Sequence, residues 1–254
     1  MKRLIVILLC FVPLVLFARQ RNDSSYVHSF AVQVGVDVGG GVPVPFSYVP
    51  PVFRPLPKVL PSIGVKYAFV LHPSWKLGGE LTYKHIEMNA EALVENMKAT
   101  LPWRDENGDY LIQYFTGQAK IMMINDILEL PVYVSYSFPS QRHKILLGGY
   151  AVWVISGKFV NKPLLGFIGN EPDDVDVVIT SGDQIPPEQT DFSRYLAKWD
   201  AGLIFGYECQ VYKRINMGGR ITCGFKDIFD FKVLEFKMLQ MRGTVVISYD
   251  LWRF

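Results

Sequence analysis

The chain has 254 residues, half of them hydrophobic and 14% aromatic, with 26 Lys+Arg against 24 Asp+Glu. This content suits one large folded domain and excludes a disordered, highly charged chain. An even charge balance with no basic stripe argues against nucleic acid as a partner, and no internal apolar run reaches the roughly 20 residues a membrane helix needs.

At the N-terminus Lys2 and Arg3 precede an apolar run from Leu4 to Phe17, closed by Ala18. The run is too short to span a bilayer core, but its basic start, apolar middle and small final residue describe a secretory leader cut after Ala18. Cys10 does not read as a lipidation site, because Leu8 and Leu9 stand where small residues are wanted. Residues 19–254 then make a single domain, balanced at 24 basic and 24 acidic residues once Lys2 and Arg3 are removed.

From there a two-residue period recurs, the signature of strands. The first strand sets Phe30, Val32, Val34, Val36 and Val38 against Gln33, Gly35, Asp37 and Gly39, and a Pro-rich loop, Val42 to Pro61, follows it. The second carries Ile63, Val65, Tyr67, Phe69 and Leu71; after a tight turn at His72 to Trp75 the third carries Leu77, Leu81 and Tyr83. A long connection, about Asn89 to Lys120, leads to the fourth strand, Ile127 to Phe138, and a tight turn from Pro139 to Lys144. The fifth, Ile145 to Val160, is apolar on both parities and cannot be oriented; a long acidic loop runs from about Asn161 to Arg194. Strands six and seven form the hairpin Lys198 to Phe225, turning near Lys213 and Arg214, and the eighth starts at Met238. About eight strands with long connections after odd strands and tight turns after even ones predict an all-β, transmembrane, antiparallel up-and-down barrel, its long loops extracellular and its short turns periplasmic. Ten strands remain open, since Tyr110 to Phe115 and Val175 to Thr180 also have strand character. A soluble all-β fold has no reason to gather its long loops at one end.

The inward face is the testable part. On the Lys198 to Phe225 hairpin it is mostly Gly with isolated charges, and over all strands it carries Asp37, Glu80, Glu129, Asp200, Glu208 and Asp250 against an equal number of bases, Lys66, Lys84, Lys198, Arg220, Lys226 and Arg242. Lys66 and Glu80 lie almost symmetrically about one turn and Glu208 and Arg220 about another, so each hairpin is expected to hold its own ion pair in a lumen narrow enough for side chains to plug. Cys209 and Cys223 are offset by about four residues across their hairpin, beyond disulfide reach, and read as free thiols facing outward. The chain ends on Trp252, Arg253 and Phe254, resembling the terminal aromatic signal read by barrel-insertion machinery, although Trp252 and Phe254 have the opposite parity to Tyr249 and Leu251 unless a bulge intervenes.

Catalytic and metal readings are weak. His72 and His143 sit in turns, His28 precedes the first strand, and His85 shares the outward parity of Tyr83 with no Ser and carboxylate at triad spacing. Asp173, Asp174 and Asp176 lack the Gly and terminal Glu of a Ca²⁺ loop. No cofactor, metal or catalytic residue is expected.

Three stretches carry a family resemblance: Leu128-Glu129-Leu130-Pro131-Val132-Tyr133-Val134 with Leu147-Gly148-Gly149-Tyr150; Asp200-Ala201-Gly202-Leu203-Ile204-Phe205-Gly206-Tyr207-Glu208; and Gly219-Arg220-Ile221-Thr222-Cys223-Gly224-Phe225-Lys226-Asp227-Ile228. With these the chain resembles the PorT-like outer-membrane β-barrel family common in Bacteroidetes. The resemblance implies an integral outer-membrane barrel in contact with lipid and supplies no activity. The expected role is structural, recognitional or secretion-associated, without catalysis. Any secretion or surface partner would meet the loops Val42 to Pro61, Asn89 to Lys120 and Asn161 to Arg194. A porin-like small-solute channel and a lipid A modifying enzyme are the alternatives.

Overall fold

The computed structural model describes residues 27–45, 52–104, 110–180, 183, 190–231, 234 and 236–253. The expected leader with its expected cleavage residue Ala18, and the terminal Phe254, lie outside these residues. The strands are β1 (His28–Val44), β2 (Val52–Pro57), β3 (Leu60–His72), β4 (Trp75–Arg104), β5 (Tyr110–Ser137), β6 (His143–Gly169), β7 (Val177–Ile179), β8 (Trp199–Tyr212), β9 (Ile215–Asp227) and β10 (Lys237–Arg253). Among the described residues an antiparallel ring runs β4-β3-β1-β10-β9-β8-β6-β5 and closes through β4–β5 pairing, eight strands in all; β2 is added to β4 and β7 to β6. Closure leaves the wall without an edge, the condition for a sheet to sit in lipid.

The wall turns its apolar side outward. Val34, Ile63, Leu77, Val132, Leu147, Phe205, Ile221 and Val245 are exposed, while the residues between them face a filled interior. A soluble barrel would do the reverse, so this belt is a surface made for lipid. The thiols follow the same logic: both are free, with Cys209 opposite Met217 and Cys223 opposite Leu203.

Strand length divides the barrel into two parts. Tight turns align the strands at one end, and β8 and β9 have 14 and 13 residues, close to the 9–11 a tilted spanning strand needs. The β4, β5 and β6 strands have 30, 28 and 27 residues, so roughly half of each projects past the other end. The expected loop from Asn89 to Lys120 is therefore mostly an extension of the β4–β5 hairpin, with Ala90 opposite Ile121 and Ala92 opposite Ala119. Likewise the expected loop from Asn161 begins as the end of β6, and the Pro-rich loop contributes β2, which pairs Pro55 and Pro57 with Ala90 and Met88. Proline is tolerated there because β2 is an edge strand.

At the junction the alternation reverses its meaning. Up to Tyr83, β4 points Leu77, Leu81 and Tyr83 out and Lys76, Glu80 and Lys84 in; beyond His85 it points Glu91 and Glu95 out and Ile86, Met88, Ala90, Ala92 and Val94 in. The spanning part is polar inside and the projecting part is apolar inside, as each solvent requires.

Bulges settle two ambiguities. A register shift between Asp126 and Ile127 on β5 places Ser156 opposite Asp126 and Val154 opposite Ile127, changing the inward parity of β6 from Tyr150 and Val152 to Phe159. The β6 strand is apolar on both faces because Leu146, Tyr150 and Val152 form an inner apolar wall with Ile86, Ile127, Tyr133 and Ile204. A second shift pairs Phe30 with Trp252 but Ala31 with Asp250. Trp252 thereby joins Tyr249 on the outer face, 61% exposed and 5.8 Å from the Phe30 ring.

Candidate functional site

Two regions hold the polar and apolar features from which a function could be built: the spanning lumen and the cup above it. In the lumen, β3 places Lys66 and β8 places Glu208 at the end that carries the short turns, where Lys66 Nζ bonds Glu208 and Lys144 Nζ reaches its other oxygen at 2.9 Å. One layer up, Arg220 of β9 pairs with Glu80 of β4, which also accepts from Gln33 Nε2 at 2.8 Å and from the Tyr133 hydroxyl at 2.5 Å. Above these, Lys84 Nζ lies 2.7 Å from Asp37 and 2.9 Å from Glu129, and Thr244 Oγ1 donates to Asp37 at 2.6 Å. Arg242 closes this layer with an ion pair to Glu129 at 2.5 Å and lies over the Tyr150 ring.

The four residues singled out from the sequence thus meet, but with exchanged partners. Lys66 does stand opposite Glu80 in the β3–β4 register, yet Glu80 binds Arg220 and Lys66 binds Glu208. Arg220 stands opposite Gly206, two residues from Glu208. Register names neighbours along the wall, whereas long side chains in a ring this small reach across it. Two of the expected inward bases are elsewhere: Lys198 is exposed, and Lys226 tops β9, 2.7 Å from Asp230 and 4.3 Å over the Trp199 ring. Lys76 and Lys144 line the turn-end mouth in their stead.

Inward glycines make room for the network. Tyr133 sits between Gly78 of β4 and Gly148 of β6, and a Cβ at either would come within 2.6 Å of the Tyr133 side chain. Without them the ring could not lie flat and present its hydroxyl to Glu80.

At the outer rim, three strands bring together a cluster that spacing along the chain hides. His85 Nδ1 lies 2.7 Å from Asp126 Oδ1, the Tyr83 hydroxyl donates to the same oxygen at 2.8 Å, and Ser156 Oγ donates to Asp126 Oδ2 at 3.0 Å. The carboxylate sits between the imidazole and the hydroxyl, so the His is not beside the hydroxyl it would have to activate. The acidic third loop uses its carboxylates on amides. Asp173 accepts from Asn96 Nδ2 at 2.8 Å, Asp176 from Asn170 Nδ2 at 2.6 Å, and the Thr180 backbone amide and hydroxyl hold the Asp183 carboxyl below the usual range. Among the described residues no group of three or more His, Cys, Asp or Glu side chains converges as metal ligands would.

The cup is formed by the projecting β4, β5 and β6 with residues 190–197, 228–231, 234 and 236–238 folded into it. Met123, Phe159, Phe192, Leu196, Ile228, Phe229 and Met238 make its buried cluster, with Phe159 and Phe229 edge to face at 4.9 Å. Phe192 and Phe229 escape sequence reasoning because they belong to connections without period; an unusual density of Phe from Phe225 to Phe236 was the available signal.

Known structures of similar overall fold are outer-membrane barrels at very low identity. Ail, the attachment invasion locus protein of Yersinia pestis, is 8% identical, with 90% of this chain and 99% of that chain covered and a TM-score of 0.37. OprG from Pseudomonas aeruginosa is 9% identical over 89% and 97% of the two chains, TM-score 0.36. Neisserial surface protein A is 11% identical over 88% and 99%, TM-score 0.34. These values carry no argument about function, and no curated protein matches the chain. The model of the outer membrane protein beta-barrel domain matches residues 30–230, most of the chain, which therefore belongs to that family and has its place in the outer membrane.

Proposed function

We propose that this barrel is a non-catalytic membrane scaffold that recognises a partner through its extracellular extension while its lumen stays closed. The observation that carries the reading is the division of labour along β4, β5 and β6: ion pairs fill the spanning half, and the other half stands in water as a continuous sheet edged by β2 and β7. Apolar side chains exposed on that projecting sheet, among them Leu93, Leu165 and Val178, lie beyond the lipid belt and suit a protein contact. A PorT-like, secretion-associated role fits this arrangement and the stretches around Leu130, Ile204 and Ile221. The same proposal includes removal of a leader after Ala18, a single domain over 19–254, and recognition of Trp252 and Phe254 by insertion machinery.

Photocrosslinking amino acids placed at Leu93, Leu165 and Val178, with Leu147 and Ile221 as belt controls, test the reading in native membranes. Discrete protein adducts are expected from the extension and lipid adducts from the belt. Extension sites that yield no protein adduct would count against a recognition scaffold.

A further inference from the structure

We infer that the cup contains a binding site for the end of a linear, uncharged alkyl chain bearing a hydroxyl, a small aliphatic alcohol being its simplest form. The site is an apolar cavity of about 50 Å³ between the projecting strands and the folded-in segments. It exists because β4 places Ala90 and Ala92 where its inward neighbours are Met88 and Val94, so the wall recedes for two positions facing Phe159 and Phe229. Leu234 closes one side, held to Ala99 by an isolated β-bridge.

Three features select the ligand. Among the described residues no charged side chain lines the cavity, so an ionised group entering it would lose its hydration uncompensated. Its volume is a third of the roughly 150 Å³ that accepts benzene in an engineered apolar cavity, which limits the occupant to a few chain atoms and excludes a ring. Among the described residues the lining has one polar side chain, Asn161, whose Oδ1 is buried without a hydrogen-bond partner there. A water needs two to four polar partners and finds one there, whereas a hydroxyl on an alkyl chain needs only one and brings its own apolar surface for the remaining wall.

Methionines supply the reporter. Met88, Met97 and Met238 line the cavity, and Met217 sits on β9 beside the short turn, remote from it. The full chain, folded in detergent with ¹³C-methyl methionine, is titrated with 1-butanol and separately with butyrate. Saturable shifts of the Met88, Met97 and Met238 methyls are expected with butanol and none with butyrate, while Met217 follows only the linear drift of solvent partitioning. Ala90→Val adds about the missing volume and should abolish the saturable component; Asn161→Ala should weaken butanol at least fivefold. Folding of each variant is checked by heat-dependent gel mobility, and Ala92→Val replaces Ala90→Val if the latter does not fold. Shifts that are linear and equal at Met217, or saturable binding that survives filling of the cavity, would overturn the assignment. The site needs no protein partner, so its outcome is independent of the crosslinking result above.

Discussion

Replacing Glu80 by Ala tests the lumen where its wiring departs most from the register. The carboxylate is the acceptor for Arg220, for Gln33 Nε2 and for the Tyr133 hydroxyl, so its loss strands one buried charge, the Tyr133 hydroxyl and one of the two Gln33 Nε2 protons, the other staying on Thr82 Oγ1 at 3.0 Å. Breaking a buried pair costs about 3–5 kcal/mol, and the extra orphaned donors, at about 1 kcal/mol each, put Glu80→Ala at the upper end. Arg220→Ala leaves the carboxylate with both neutral donors and belongs at the lower end, about 3 kcal/mol. The double variant strands no charge, so it should lose about 2–3 kcal/mol less than the sum of the single losses. Urea unfolding in phospholipid vesicles, followed by tryptophan fluorescence and gel mobility, gives the four stabilities. Additivity within about 0.5 kcal/mol would refute the pairing. So would a larger coupling for Glu208 with Arg220, the pair that symmetry about the turn suggests.

Further outcomes follow from the same geometry. Lys84→Met should cost more than Lys66→Met in that assay, because Lys84 serves both Asp37 and Glu129 while Glu208 retains Lys144 when Lys66 is lost; equal midpoints would contradict this. Gly148→Ala should displace Tyr133 and lower the unfolding midpoint, since the new Cβ would meet the Val132 carbonyl at 2.2 Å, whereas Gly219→Ala, with nothing within 4 Å, should be nearly neutral. Single-tryptophan variants keeping Trp153, Trp199 or Trp252, all exposed on the outer wall, should be quenched by brominated lipids, most by bromine near the headgroups; emission insensitive to brominated lipid would remove the belt from that surface.

The spanning barrel was legible because its wall has lipid on one side and a polar interior on the other, which imposes alternation on every strand. Past His85 the outer solvent becomes water. Glu91 and Glu95 then face outward and Ala90 and Ala92 inward, a muted alternation of small and polar residues that resembles a loop when an apolar outer face is sought. The same reasoning found Lys66, Glu80, Glu208 and Arg220 by parity but not their partners, since pairing across a lumen depends on the three-dimensional stagger of strands distant in sequence. The cup was hidden for another reason: Phe192, Phe229 and Leu234 lie in aperiodic connections, and only folding brings them over Ala90.

The central claim is that ion pairs close the lumen, and planar-bilayer recording from the purified chain tests it most directly. Wild-type protein should insert without stable conductance, and Glu80→Ala/Arg220→Ala should show brief or small openings as the central layer is removed. Stable, uniform single-channel steps from the wild-type protein would contradict the account.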